Sequence, residues 1–248
     1  ANPWLGAYVM DFLQRARQAG LAVPQAALDQ GYQGLRSVAR LDDFGSVAYA
    51  FDVWSYPGNT DTRDLLRSRA TAYALYVLAK GGKADVGQVR YFHDARLRNE
   101  PSPLARAHIG AALAFLGDRA RARSAFRAAE EAWNRGYRNT GDYYQTPVRD
   151  LAGMIALVAE AAGGPNPDSE LSAMLDRLTQ RLERDAPPAQ DLMTQEQAQM
   201  LMAANALLGR AQAMNVSLNG QAGGPAWGYD ALAALLNRGA TFRNDGQG

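Results

Sequence analysis

Cysteine is absent from this 248-residue chain, which excludes disulfides, thiolate metal sites and a cysteine nucleophile within it and leaves its redox compartment open. Histidine occurs only twice, as His93 and His108, with no H-E-x-x-H spacing and no cysteine to complete a zinc site. No metal is expected. Neither sign of charge dominates: 26 Lys and Arg against 25 Asp and Glu leave a net +1, which removes the argument for a nucleic-acid surface. Long apolar runs are missing too, and none approaches the roughly 18 to 20 residues of a membrane span. The first residues, ANPWLGAY, carry neither the charged nor the apolar region of a signal peptide, so the chain reads as cytosolic or as stripped of its targeting segment. There is no G-x-S-x-G, no phosphate-binding glycine loop and no Ser/His/Asp arrangement. No catalytic or cofactor-binding residue is expected.

What remains is a soluble composition, 47% hydrophobic and 21% charged, ample for one large core. The stretch Thr62 to Asp94 shows how it is used. From Ala70 to Ala79 apolar side chains go all round a helix, a distribution that belongs in a buried layer. Gly81-Gly82 then stops that helix and Asp85 caps a return helix, whose narrower apolar stripe is Val86, Val89, Phe92 and Leu97. This is an inner helix paired with an outer one.

The design recurs. Apolar helices end at Gly20, Gly81, Gly117, Gly163 and Gly209, the last four separated by 36, 46 and 46 residues. That spacing is wrong for a tetratricopeptide array, although WLGAYVMDF superficially matches the start of one. One-faced helices lie between, with Ala122, Ala125, Phe126, Ala129 and Trp133 on one and Leu171, Met174, Leu175, Leu178 and Leu182 on another. Scattered arginines read as their solvated faces. Ser102-Pro103, Thr146-Pro147 and Asn166-Pro167 mark three helix starts, and Thr194 with Gln197 spells a capping box for a fourth. After Gly209 the pattern changes: Met214, Val216 and Leu218 alternate and end at Asn219-Gly220, a strand and turn signal, with a further short strand expected around Thr241-Phe242-Arg243. The fold expected is all-α, an α/α toroid of helical hairpins, followed by a short β segment.

Connections from inner to outer helices are short and contain glycine, whereas three outer-to-inner connections, 41–61, 134–145 and 185–193, are long. All the long ones must share one end of the toroid, with the inner-helix N-termini and their free N–H groups. Trp54, Tyr56, Tyr143, Tyr144, Gln195 and Glu196 form the candidate face there; loops packing on their own aromatics is the plainer alternative. Asp42-Asp43 is the one paired carboxylate in a loop. It reads as a solvated turn, or as the acid of a toroidal glycosidase or terpene-cyclase-like enzyme.

In this order, PWLGAYVMDFLQRARQAG, RATAYALYVLAKGGKADVGQVRYFHD, SPLARAHIGAALAFLGDRARARSAF, TPVRDLAGMIALVAEAAG and TQEQAQMLMAANALLG resemble the thioester domain of bacterial alpha-2-macroglobulins. The resemblance implies a toroid over 1–210 that lacks its first hairpin, and over 211–248 the start of a β-rich, CUB or macroglobulin-like region. It further implies a non-enzymatic, broad-spectrum protease trap, periplasmic and held at the inner membrane by a lipid anchor outside this chain. Its partners would be target proteases and neighbouring β-domains. In that family a thioester joins the Cys and Gln of a Cys-x-Glu-Gln motif at the start of an inner helix. Gln195-Glu196-Gln197 is no substitute, because no cysteine precedes it. By the family's order that motif lies upstream of Ala1, and Tyr143, Tyr144, Gln195 and Glu196 are expected to border the thioester pocket or the domain that closes it. An α/α-toroid enzyme acting on a carbohydrate or isoprenoid through Asp42 or Asp43 is the rival; a helical-repeat binding scaffold is the third reading.

Overall fold

The computed structural model describes residues 2–40, 60–137, 145–163, 167–213, 216–218, 221–222 and 242–244. Five inner helices run through it: α1 (Pro3–Gln18), α3 (Thr60–Lys80), α5 (Pro103–Phe115), α7 (Pro147–Ala162) and α9 (Thr194–Ala213). Four outer ones alternate with them: α2 (Gln25–Ala39), α4 (Val86–Tyr91), α6 (Arg119–Asn134) and α8 (Ser169–Asp185). Each inner helix packs on the next inner helix, and the outer helices cover them from outside.

The apolar distribution decides which layer a helix joins. In α3 every residue from Ala70 to Ala79 is buried; even Thr71 is enclosed, its hydroxyl donating to the Val38 carbonyl over 3.2 Å. On α6 only Ala122, Ala125, Phe126, Ala129 and Ala132 are buried, and on α8 only Leu171, Met174, Leu175 and Leu178. Burying such a leucine contributes about 1.5–3 kcal/mol. The two ends of the inner row differ from its middle: Leu5, Val9 and Phe12 on α1, and Leu201 and Leu208 on α9, stand exposed.

Caps follow the expected chemistry with three revisions. Asn2, Asp85, Ser102 and Thr146 accept hydrogen bonds from first-turn N–H groups, and Gly82 and Gly117 take φ of 66° and 78° just past their helices. The helix expected from Pro167 starts at Ser169 instead, because Asp168 caps it, accepting from the Glu170 and Leu171 amides; Asn166 is outside the described residues. At α9 the capping box uses Glu196, whose carboxylate accepts the Met193 N–H at 2.8 Å, while Gln197 donates to the Leu192 carbonyl. Gly209 does not end that helix, which runs on to Ala213. The outer helix begun at Val86 also loses regularity, passing through a π turn at Phe92–Arg96 and a 3-10 turn at Leu97–Asn99 that bring Phe92 and Leu97 inward and leave Val86 exposed.

Beyond the helices, β1 (Val216–Leu218) pairs antiparallel with both β2 (Gln221–Ala222) and β3 (Phe242–Asn244). Leu218 lies opposite Gln221; Asn219 and Gly220, where the sequence signals a turn, fall outside the described residues.

Candidate functional site

All five inner helices contribute to one narrow slot on the axis of the array, where Trp4, Asp11, Tyr73, His108, Arg149 and Gln199 meet. Residues from helix starts meet other helix starts there: the Arg149 guanidinium lies 5.5 Å over the Trp4 ring, and a Cβ on Gly153 would come within 2.9 Å of Leu104 and 3.3 Å of Gln199. Residues from helix ends meet other ends. The inner helices therefore run parallel, with all their N-termini on the rim reached by the long connections.

At the opposite end, polar groups from three helices close the axis. Arg15 pairs with Asp11 at 3.0 Å and reaches Glu160 of α7 at 2.7 Å, and Lys80, 3% exposed, lies 3.3 Å from Asp11 and 3.5 Å from Glu160. Tyr76 donates to Glu160 over 2.8 Å and Tyr73 to Asp11 over 3.2 Å. Burial, then the neighbouring carboxylates, push both phenols well above the ordinary tyrosine range, so they stay neutral donors. Burial works against the charge of Arg15, but Tyr76, Asp11 and Glu160 together outweigh it and hold the guanidinium protonated. Two cations facing two carboxylates is a self-neutralising set that links α1, α3 and α7.

Midway, the His108 ring stacks on Tyr73, centroids 4.3 Å apart and planes 14° from parallel. Burial depresses its pKa to about 3, so the imidazole is neutral. On the rim, Arg149 is tied to Asp150 through Nε at 2.8 Å and Nη2 at 2.6 Å, Tyr137 donates to the other Asp150 oxygen at 3.0 Å, and Arg69 donates to Gln145 at 3.0 Å. These pairs anchor both sides of the connection 138–144. Gln195 and Glu196 lie in the first turn of α9, on this rim. Gln195 is half-buried and its Oε1 has no partner among the described residues, whereas Glu196 is buried as the cap of its own helix. Tyr143, Tyr144, Trp54, Tyr56, Asp42 and Asp43 fall outside the described residues.

No family model matches the sequence. Over 208 residues, 84% of its length, the chain is 34% identical to the alpha-2-macroglobulin of Xylella fastidiosa strain Temecula1, and over 238 residues, 87% of its length, 30% identical to that of Escherichia coli K12. The chain is a relative of the bacterial alpha-2-macroglobulins. It spans 12% and 13% of those two alpha-2-macroglobulins' own length. Its fold agrees: the native E. coli alpha-2-macroglobulin, solved by cryo-electron microscopy, superposes with a TM-score of 0.66 and 27% identity over 88% of this chain and 13% of that one. An α/α toroid within an alpha-2-macroglobulin-like chain is thus supported by sequence and by shape.

Sequence pattern alone does not single out the axial residues of this alpha-2-macroglobulin relative. The sequence points to His108 only as a zinc ligand that lacks partners and to arginines on solvated faces, yet Arg69, Arg106 and Arg149 are buried. One signal was present: Asp11 and Arg15, and Arg149 with Asp150, interrupt helices that are otherwise apolar toward the core.

Proposed function

We propose that the chain is the toroidal part of a bacterial broad-spectrum endopeptidase inhibitor, which traps a protease after the protease cuts a bait region elsewhere in the parent protein. The observation that carries this is the likeness to alpha-2-macroglobulins in both sequence and fold along more than four fifths of the chain. A packed axis supports it. An enzyme of the toroidal glycosidase or cyclase kind needs an open cavity with two or more convergent carboxylates, and the slot here has a volume of only about 20 Å³. Among the described residues Asp11 is the one carboxylate lining it, and Arg15 and Lys80 already neutralise it.

The finer parts of this reading are the covalent arm, the place and the rim. Covalent trapping requires a Cys-x-Glu-Gln thioester supplied by the parent chain, and we assign Tyr143, Tyr144, Gln195 and Glu196 to the rim that borders it or meets a neighbouring β-domain. We also place the parent in the periplasm, anchored by lipid at the inner membrane; the described residues contain no helix long and apolar enough to cross a membrane.

The test uses the full-length parent protein mixed with trypsin or elastase. Trapped protease should keep its activity on a short chromogenic peptide and lose it on a large protein substrate. Equal inhibition on both, or none on either, would rule the trap out. Methylamine should release one thiol per molecule if the covalent arm is present, and Gln195→Ala in the parent should speed that release if the rim shields the bond. Cell fractionation checks the compartment.

A further inference from the structure

Three polar side chains from three helices converge on the axial slot without using all their hydrogen-bonding capacity. Arg149 of α7 is 3% exposed and spends Nε and Nη2 on Asp150, while its Nη1 has no partner among the described residues. His108 of α5 and Gln199 of α9 are both more than nine-tenths buried, and neither makes a hydrogen bond among the described residues. Buried polar groups are normally satisfied, so three such groups lining one volume call for a common partner. That volume, about 20 Å³, has room for one water molecule and for little more.

We propose that the slot is the binding site of a single internal water, hydrogen-bonded to Arg149, His108 and Gln199 as a pin on the toroid axis. One group from each residue suits a water. The neutral imidazole offers one lone pair, the Gln199 carboxamide an acceptor oxygen, and Arg149 Nη1 an N–H; water accepts from the arginine and donates to the other two. Three partners lie within the two to four that hold buried waters. An anion fits less well, because Asp150 already balances the guanidinium charge. A cation fits worse still, with Arg149 at the site. Glycine at 153 keeps the space, since a Cβ there would press on Leu104 and on the Gln199 oxygen. The pin fixes α5, α7 and α9 at one level and holds Arg149 against Trp4 at the rim.

A crystal structure of this chain at a resolution that shows ordered solvent should place one water 2.7–3.2 Å from Arg149 Nη1 and within the same reach of His108 or Gln199. A slot closed by repacking, an Arg149 Nη1 bonded to a protein carbonyl, or a halide in that position would overturn the proposal. Oxygen-17 relaxation dispersion in solution should count one fewer long-lived water in Gln199→Leu than in the unaltered chain, at unchanged helical circular dichroism. An unchanged count in a folded variant also overturns it, and if the variant fails to fold the crystallographic result decides alone.

Discussion

His108 shows what burial does to a single residue. An imidazole held neutral down to about pH 3 in the fold, against an ordinary value of 6.5 in the unfolded chain, makes the unfolded state the better proton acceptor between those limits. Stability contributed at this position is therefore intact above about pH 6.5 and declines as the pH falls toward 3, by roughly 1.4 kcal/mol per unit. His108→Phe keeps a ring against Tyr73 and removes the titration. Denaturant unfolding at pH 7 and pH 4.5 should show a smaller acid loss in the variant than in the parent sequence, and equal losses would reject the assignment. Core residues without charge obey simpler rules. Phe126 is fully buried, with its ring about 3.0 Å from where a Cβ on Gly110 would sit, so Phe126→Ala should cost about 3–5 kcal/mol in the same assay.

Among the elements, α8 depends on the residue that caps it more than on its surface ion pairs. The Asp168 carboxylate caps the helix by accepting hydrogen bonds from the Glu170 and Leu171 amides and also receives Arg123 at 2.8 Å. The cap and the bridge can be separated. Asp168→Asn keeps the acceptor oxygen and drops the charge, which should cost under ~1 kcal/mol because the Arg123 side chain is partly in solvent. Asp168→Ala loses both and should cost about 1–2 kcal/mol, read as a shift in the urea midpoint. The other bridges lacing the outer layer, Arg121 to Asp94 and Arg177 to Glu130, are exposed and contribute less each. Helix starts were legible in sequence to within two residues because a cap is a local matter. The misses have the same cause in reverse: Asp168 and Glu196 act as caps where the sequence offers equally plausible neighbours, and such candidates cannot be ranked without their geometry.

For the whole molecule, the decisive contacts join helices that are remote along the chain. Arg15 of α1 and Glu160 of α7 meet across the axis, with Asp11 and Lys80 beside them. Asp11→Asn would leave Arg15 and Lys80 sharing one carboxylate in a buried site, and should destabilise the fold by about 3–5 kcal/mol. A double-mutant cycle with Lys80→Met should recover part of that loss; strict additivity would mean the pair does not interact. Local rules settled much of this protein beforehand. Apolar side chains all round a helix can only be buried and one-sided stripes can only cover them, so inner and outer layers, hairpin order and the closing strand were already written in residue type and spacing. Which polar residues go to the axis was decided by the tertiary structure alone. Arginine, aspartate and histidine look alike in sequence whether solvated or enclosed, and only the convergence of five helix faces takes Asp11, His108 and Arg149 out of water together and makes each the others' environment.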